Sequence, residues 1–188
     1  MSIIISIMRK LFIFNAIIFI FVISCFKEKT KIINIDNITI EVPENFNPGF
    51  LNSVVAFDES VSKYESYGVQ TKTAIYTIVY TKYKPTYNGL ISLDNIKNSV
   101  INNLRNHYAV KEYNIVSETK NKDNKENTYE VISSFYYGPN KTTHKAYLMF
   151  EDGAVLQVLS MYNANSKKDS KISDNIIKSI KIDNNTNN

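Results

Sequence analysis

The chain has 188 residues, a formal net charge of +4 and a hydrophobic content of 44%. This length predicts one globular domain, and the hydrophobic content excludes a wholly disordered protein. The single cysteine excludes an intrachain disulfide and a cysteine-built zinc site. The basic residues are almost all lysines, a poor set for bidentate recognition of phosphates or bases, so we expect no nucleic-acid partner.

The N-terminal residues combine a basic start with an apolar run. Arg9 and Lys10 precede residues 11–24, which read LFIFNAIIFIFVIS. This layout is typical of a secretory signal peptide. The run is shorter than the roughly 20 residues that a bilayer-spanning helix needs. We therefore predict export, with translation beginning at either Met1 or Met8, because Met8 followed by two basic residues is itself an orthodox signal-peptide start.

The end of this run carries the only cysteine of the chain. Val22-Ile23-Ser24-Cys25 resembles a bacterial lipobox, which has an aliphatic residue three before the cysteine and a small residue directly before it. The resemblance implies cleavage before Cys25 and diacylglycerol on its thiol, so we expect membrane lipid and an envelope protein as partners. The alternative is an uncleaved signal anchor with an incidental cysteine. Attachment to the cell membrane and to the outer membrane both stay open.

Cleavage would leave a mature chain with a net charge of about +2, because the removed segment holds two basic and no acidic residues. We predict a signal peptide at 1–24, a lipidated tether at 25–30, a single domain at 31–182 and a disordered tail at 183–188. The tail reads DNNTNN and has no apolar side chain to bury.

Strand patterns dominate the first half of this domain. Runs of β-favouring residues at 31–34 and 38–42 flank the turn pair Asp36-Asn37, and Pro43 ends the second run because it cannot donate to a strand ladder. The pattern of residues 49–68 does not specify one type of secondary structure, and a long run of Thr, Ile, Val and Tyr, which favour strands, comes after them. We predict a strand at 54–57, a helical turn at 59–64 and a long strand at 71–83.

An amphipathic helix follows a Pro- and Gly-containing loop. Ser92 is a suitable N-cap, and Asp94 lies in the first turn near the positive end of the helix dipole. Five apolar side chains recur at spacings of three and four, which places them on one helical face. They are Leu93, Ile96, Val100, Leu104 and Tyr108. We predict that this face covers a sheet.

Four strand patterns in series come next, joined by short links that can connect only antiparallel neighbours. Asp152-Gly153 suits a type I′ hairpin turn, and the polar residues 121–127 read as a hairpin loop. The predicted strands are 113–120, 128–137, 143–150 and 154–162, and a last helix is predicted at 170–180. The order predicts an α+β fold: an antiparallel sheet, formed by an N-terminal hairpin plus a four-strand meander, with two main helices packed on it.

One stretch resembles a known family. Residues 38–46, ITIEVPENF, are similar to the opening strand and Pro-x-x-Phe turn of the PsbP/Mog1/DcrB-like group, and the final strand, polar loop and helix are also similar. The order of elements is compatible over most of residues 31–182, although residues 49–68 have no clear counterpart. The resemblance implies a sheet with helices packed on it and a binding or accessory role. It transfers no functional residue to this chain.

The sequence offers little catalytic chemistry. His107, at the end of the predicted helix, and His144, on the apolar side of a strand, lack metal-ligand spacing, so we expect structural or surface roles. The nucleophile elbow, the P-loop and the dinucleotide motif are all missing from the sequence. Residues 121–127 have Glu126 where a calcium loop needs glycine. We therefore expect no metal, no cofactor and no enzymatic activity.

Tyrosine is unusually abundant, with thirteen residues and no tryptophan. Tyr76 and Tyr80 share one strand face, as do Tyr129 and Tyr137. Tyrosine suits both sheet packing and contact surfaces, so these four are candidates for a binding surface. The pattern as a whole favours a membrane-anchored, non-enzymatic accessory or protein-binding module. The alternative is a small-ligand-binding lipoprotein with a pocket between the sheet and the helices.

Overall fold

The computed structural model describes residues 29–51, 59–123 and 126–183. The predicted signal peptide, Cys25, most of the tether, the strand at 54–57 and residues 184–188 lie outside the described residues. Ten strands and two α-helices occur in the part described. The strands are β1 (Thr30–Ile35), β2 (Ile38–Pro43), β3 (Asn47–Pro48), β4 (Val61–Gln70), β5 (Ala74–Tyr83), β6 (Val110–Asp123), β7 (Glu126–Tyr137), β8 (Asn140–Glu151), β9 (Ala154–Asn163) and β10 (Lys181–Ile182). The helices are α1 (Leu93–Arg105) and α2 (Lys167–Lys178), and a short 3-10 helix covers Pro85–Leu90.

The strands form two antiparallel sheets. The small sheet has the order β1-β2-β10, and the large sheet has the order β3-β4-β5-β9-β8-β7-β6. Helix α1 packs on one face of the large sheet, whereas α2 and the small sheet cover the other face. The predicted α+β fold, with antiparallel strands and two main helices, is confirmed. The N-terminal hairpin does not share one sheet with the meander as predicted, because β2 pairs with β1 and β10 to form the separate small sheet.

Both faces of the large sheet carry a hydrophobic core, because successive side chains of each strand point to opposite faces and apolar residues occur on both. On the α1 face, Ile101 packs with Val131 and Ala146. On the opposite face, Tyr76 and Tyr80 belong to the larger core. Covering both faces explains why apolar side chains appear on both sides of β8.

Local chemistry places the β8–β9 turn and the start of α1 where the sequence predicts them. Asp152 and Gly153 have φ values of 46° and 73°, as a type I′ hairpin requires. Ser92 caps α1 by accepting a hydrogen bond from the Asn95 amide at 3.4 Å. Helix α2 begins three residues earlier than predicted, because Ser166 acts as its N-cap and accepts from the Asp169 amide at 3.2 Å.

The predicted helical turn at 59–64 is wrong, since residues 61–64 open strand β4 and residues 59–60 form the turn before it. Pairing with β5 runs from Val61 opposite Tyr83 to Gln70 opposite Ile75, so the backbone groups find partners in the neighbouring strand. This pairing overrides a weak local preference. Gly68 is required in β4, because a Cβ atom there would lie 2.5 Å from the Phe50 ring.

Three further boundaries differ from the predictions. Thr30 belongs to β1 rather than to the tether, and it pairs with Pro43. The amide of Asp183 donates to the Asn37 carbonyl at 2.8 Å, so this residue belongs to the domain and not to the tail. Helix α1 ends at Arg105, which leaves Tyr108 outside the helix and 91% exposed.

The strand registers give the domain two ends. The proximal end contains Lys29, where the described chain begins, together with the β4–β5 link at 71–73, the residues before β6, the β7–β8 turn and the β9–α2 loop. The distal end contains the β1–β2 turn and the β8–β9 turn, which line one cleft. Among the described residues, no helix is long and apolar enough to cross a membrane.

Candidate functional site

A cleft of about 290 Å³ opens at the distal end, between the small sheet and the large one. Its lining includes Asp36, Tyr80, Lys82, Met149, Glu151 and Asp152. Asp36 occupies the β1–β2 turn with a φ of 50°, a conformation that aspartate tolerates better than most side chains. The cleft therefore brings the hairpin turn against the end of β5.

The Asp36 carboxylate is the centre of a hydrogen-bonded network. Its Oδ1 accepts from Lys63 Nζ at 2.7 Å, and its Oδ2 accepts from the Tyr80 hydroxyl at 2.6 Å and from Lys82 Nζ at 3.0 Å. Lys63 also pairs with Glu65 at 2.8 Å. Both Asp36 oxygens are thus engaged, and the network ties the small sheet to β4 and β5.

These contacts fix the protonation states of the network. The hydrogen bonds from Lys63 and then Tyr80 hold the pKa of Asp36 far below its usual range. The bond to Asp36 raises the pKa of Lys63. Burial, and then the bond to Asp36, raises the pKa of Tyr80. All three groups keep one charge state around neutral pH, which suits a structural clamp better than proton transfer.

A second cleft, of about 210 Å³, lies at the proximal end between the end of β2, the 71–73 link and α2. Its buried carboxylate, Asp169, accepts from the Tyr76 hydroxyl at 2.8 Å, from Thr73 Oγ1 at 2.9 Å and from Ser166 Oγ at 2.6 Å. Burial alone would raise the pKa of Asp169, but these hydrogen bonds outweigh it and lower the pKa. The carboxylate anchors the start of α2 to β5.

The two histidines have different environments. His144 is 2% exposed, and its Nδ1 lies 3.3 Å from Ser133 Oγ, which is fully buried. Burial lowers the pKa of His144 to about 4, so the imidazole is neutral at pH 7. Its placement on the apolar side of β8 agrees with the sequence. The pair resembles a serine–histidine dyad in composition, but burial keeps it away from any substrate.

His107 lies two residues beyond α1 rather than in its last turn, and it is exposed. Its amide donates to the Leu104 carbonyl at 3.1 Å, which satisfies a carbonyl at the helix end. Its ring stacks on Tyr108 at 4.6 Å between centroids and lies 5.9 Å from the Tyr137 ring. The structure thereby places an exposed aromatic cluster at the proximal end.

Three of the four candidate tyrosines are interior residues. Tyr76, Tyr80 and Tyr129 are 2%, 1% and 3% exposed, whereas Tyr137 is 45% exposed. The Tyr129 hydroxyl donates to the Asp94 carboxylate. These four residues do not form one exposed surface, because both faces of the sheet are covered at the first three positions.

The exposed tyrosines are instead Tyr108, Tyr136 and Tyr137. Sequence reasoning missed the first because it extended the helical periodicity past Asn106, where α1 ends. The polar pair Asn106-His107 after Arg105 was the local signal for that end. Among the described residues, no three His, Cys, Asp or Glu side chains are grouped so that they could hold a metal ion.

No family model matches the sequence, and no curated protein matches it. CyanoP, the PsbP protein of the cyanobacterium Synechocystis sp. PCC 6803, has a similar structure, with a TM-score of 0.57 and 8% identity over 83% of this chain and 94% of that chain. Mog1p, a Ran-binding protein of Saccharomyces cerevisiae, has a TM-score of 0.45 and 9% sequence identity, over 83% of this chain and 96% of that chain. LpqN of Mycobacterium tuberculosis, involved in cell envelope biogenesis, has a TM-score of 0.45 and 9% sequence identity, over 82% of this chain and 91% of that chain.

The similarity to CyanoP shows a shared fold at very low sequence identity. It supports, at the level of the fold, the family resemblance carried by residues 38–46. Since one fold hosts many functions, the similarity assigns no activity and no site residue to this chain.

Proposed function

We propose that this protein is a lipoprotein of the bacterial cell envelope, anchored through Cys25, with its domain outside the cytoplasm. The observation that carries the proposal is the sequence Val22-Ile23-Ser24-Cys25 at the end of the apolar run 11–24. The only cysteine of the chain occupies the one position at which a lipobox needs it.

A diacylglyceryl group would anchor the domain firmly. One acyl chain gives only marginal membrane binding, and stable attachment takes two signals. Diacylglycerol on Cys25 supplies both chains at a single residue. Lys27 and Lys29 add a modest attraction to anionic headgroups.

For the domain, we propose an accessory, partner-binding role without catalysis. The titratable groups in the two clefts support this view, since Asp36 and Asp169 each have both oxygens engaged by protein donors. The pair Ser133 and His144 also supports a role without catalysis, because both side chains are buried. The fold shared with CyanoP is compatible with such a role.

The second candidate function is binding of a small ligand, but in the distal cleft between the two sheets rather than in the predicted pocket between the sheet and the helices. Tyr80, Lys82 and Asp152 would supply polar groups beside Met149 and Leu156. At about 290 Å³ the cleft lies at the lower limit of ligand pockets, which measure roughly 300–1,000 Å³. The protein-binding role is therefore the better supported of the two.

Metabolic labelling with an alkyne fatty acid tests the anchor. The wild-type protein is expected to take up label, and Cys25→Ser is expected to take up none. The double variant Ser24→Cys/Cys25→Ser is the matched control: it keeps one cysteine and the same composition but puts Ile23, a bulky residue, directly before it. This control is also expected to stay unlabelled.

Absence of label in the wild type, together with an N-terminus at Met1 or Met8, would refute the lipoprotein proposal in favour of a signal anchor. Chemical crosslinking in intact envelopes, read by mass spectrometry, tests the accessory role. Reproducible crosslinks from exposed residues of the domain to one envelope protein are expected. A bound small molecule released from the native protein, without such crosslinks, would favour the ligand-binding alternative.

A further inference from the structure

The proximal end of the domain carries features of a membrane-facing surface. We propose that this end rests on the anionic surface of the membrane that holds the anchor. The inference depends on the proposed lipidation of Cys25 and adds to it a defined orientation of the domain. The occupant of the surface is a bilayer containing anionic phospholipid.

The chain length between the anchor and the domain sets the first constraint. Lys29, the first described residue, follows Cys25 by four positions. A fully extended chain covers at most about 3.5 Å per residue, so Lys29 lies within roughly 14 Å of the lipidated residue. The domain is therefore held against the bilayer by its proximal end, close to the range of about 8–10 Å over which surface charges act.

Charge is the second observation. Exposed lysines outnumber exposed carboxylates at the proximal end, where the structure describes Glu41, Glu44 and Glu112 as the exposed acidic residues. Asp169 also lies at this end but is buried and hydrogen-bonded to Tyr76. The lysines are Lys29, Lys72, Lys111, Lys141, Lys167 and Lys168.

The distal end has a different balance of charge. Asp36, Glu151 and Asp152 line its cleft, and three lysines at this end, Lys63, Lys82 and Lys84, offset their charge. An anionic leaflet therefore attracts the lysine-rich proximal end more strongly than the distal end, where carboxylates and lysines balance. Charge complementarity thus favours the same orientation as the short connection to Cys25.

Aromatic side chains supply the third observation. Tyr108, at 91% exposure, stacks on His107, which also lies beside Tyr137. A second exposed tyrosine, Tyr136, lies directly between Lys111 and Lys141 in the register of β6, β7 and β8. Tyrosine is enriched at membrane–water interfaces because its ring is apolar and its hydroxyl is polar. Lysines beside exposed tyrosines are the combination that an anionic interface binds.

Tryptophan fluorescence can test this orientation, because the chain contains no native tryptophan. Tyr108→Trp puts the probe at the proximal end, and Leu90→Trp, at a 74% exposed position of the distal end, is the matched control. Each full-length lipidated variant is reconstituted into phosphatidylcholine vesicles with or without phosphatidylglycerol. Lipids with brominated acyl chains then quench a tryptophan that reaches the interface.

With phosphatidylglycerol present, we expect strong quenching and a blue shift for Tyr108→Trp, and neither for Leu90→Trp. Adding Lys111→Gln and Lys141→Gln to the Tyr108→Trp chain should lower the docking equilibrium constant by roughly fivefold per lysine and so reduce the quenching. Lys84→Gln with Lys178→Gln, two exposed lysines away from the proximal end, removes the same charge and should leave the quenching unchanged. Equal melting temperatures of the variants show that folding is intact.

Flotation with the vesicles in high salt measures the anchor separately. Flotation without quenching of Tyr108→Trp, or equal quenching of both probes, overturns the orientation and leaves the lipoprotein proposal standing. No flotation overturns both. A third outcome combines two results: the Tyr108→Trp probe is not quenched by the vesicles, and residues near position 108 crosslink to an envelope protein in intact cells. This outcome assigns the surface to a protein partner and also overturns the proposal.

Discussion

Lowering the pH from 7 to 5 is expected to destabilise the protein through His144. Burial lowers the pKa of this side chain from 6.5 to about 4, whereas the unfolded chain titrates near 6.5. Between these values the unfolded state binds a proton that the folded state does not. Stability is therefore fully present above about pH 6.5 and is lost as the pH falls towards 4.

The size of the effect follows from the same two pKa values. At pH 5 the unfolded histidine is almost fully protonated and the folded one is mostly neutral, which removes roughly 2 kcal/mol of unfolding free energy relative to pH 7. For a domain of this size, that corresponds to a drop of roughly 4–8 °C in melting temperature. Asp36 and Asp169 do not interfere, because both pKa values are lowered and these carboxylates stay ionised at pH 5.

Thermal unfolding followed by circular dichroism at pH 7 and pH 5 measures this drop. His144→Gln does not titrate in this range and keeps a group that can hydrogen-bond Ser133, so its melting temperature should be nearly the same at the two pH values. His107→Gln, at the exposed histidine, is the control and should retain the wild-type drop. A wild-type protein that melts equally at both pH values, or a His144→Gln variant that retains the drop, would refute the reasoning.

Three further predictions concern stability. Asp36→Asn removes the charge that Lys63 and two other donors bind, and should lower the urea-unfolding free energy at pH 7 by about 1–3 kcal/mol; an unchanged midpoint would contradict the clamp role. Gly153→Ala adds a Cβ only 2.5 Å from the Asn88 amide oxygen at a φ of 73°. It should lower the melting temperature more than Gly138→Ala, where φ is 59° and the space is open. Equal losses of melting temperature in the two variants would show that the turn adapts. Deleting residues 184–188 should leave the melting temperature nearly unchanged, and a fall of more than roughly 5 °C would show that the tail docks.

Local sequence chemistry determined the hairpins and the helix starts. The Asp152-Gly153 turn and the Ser92 cap depend on contacts within a few residues, which a sequence displays directly. Alternation and short links then determined the meander, because such links join only antiparallel neighbours. The predicted lipid attachment at Cys25 is also a property of adjacent residues, and it needs no fold.

The tertiary structure alone decided which residues are accessible. Strand β4 forms because its backbone pairs with β5, a partner that the sequence of residues 61–70 does not reveal. Tyr76 and Tyr129 lie on opposite faces of the large sheet, and both are buried because a separate layer covers each face. Tyr108 is exposed because α1 ends before it. Alternation shows which side chains share a face, but whether another layer covers that face depends on packing between distant segments.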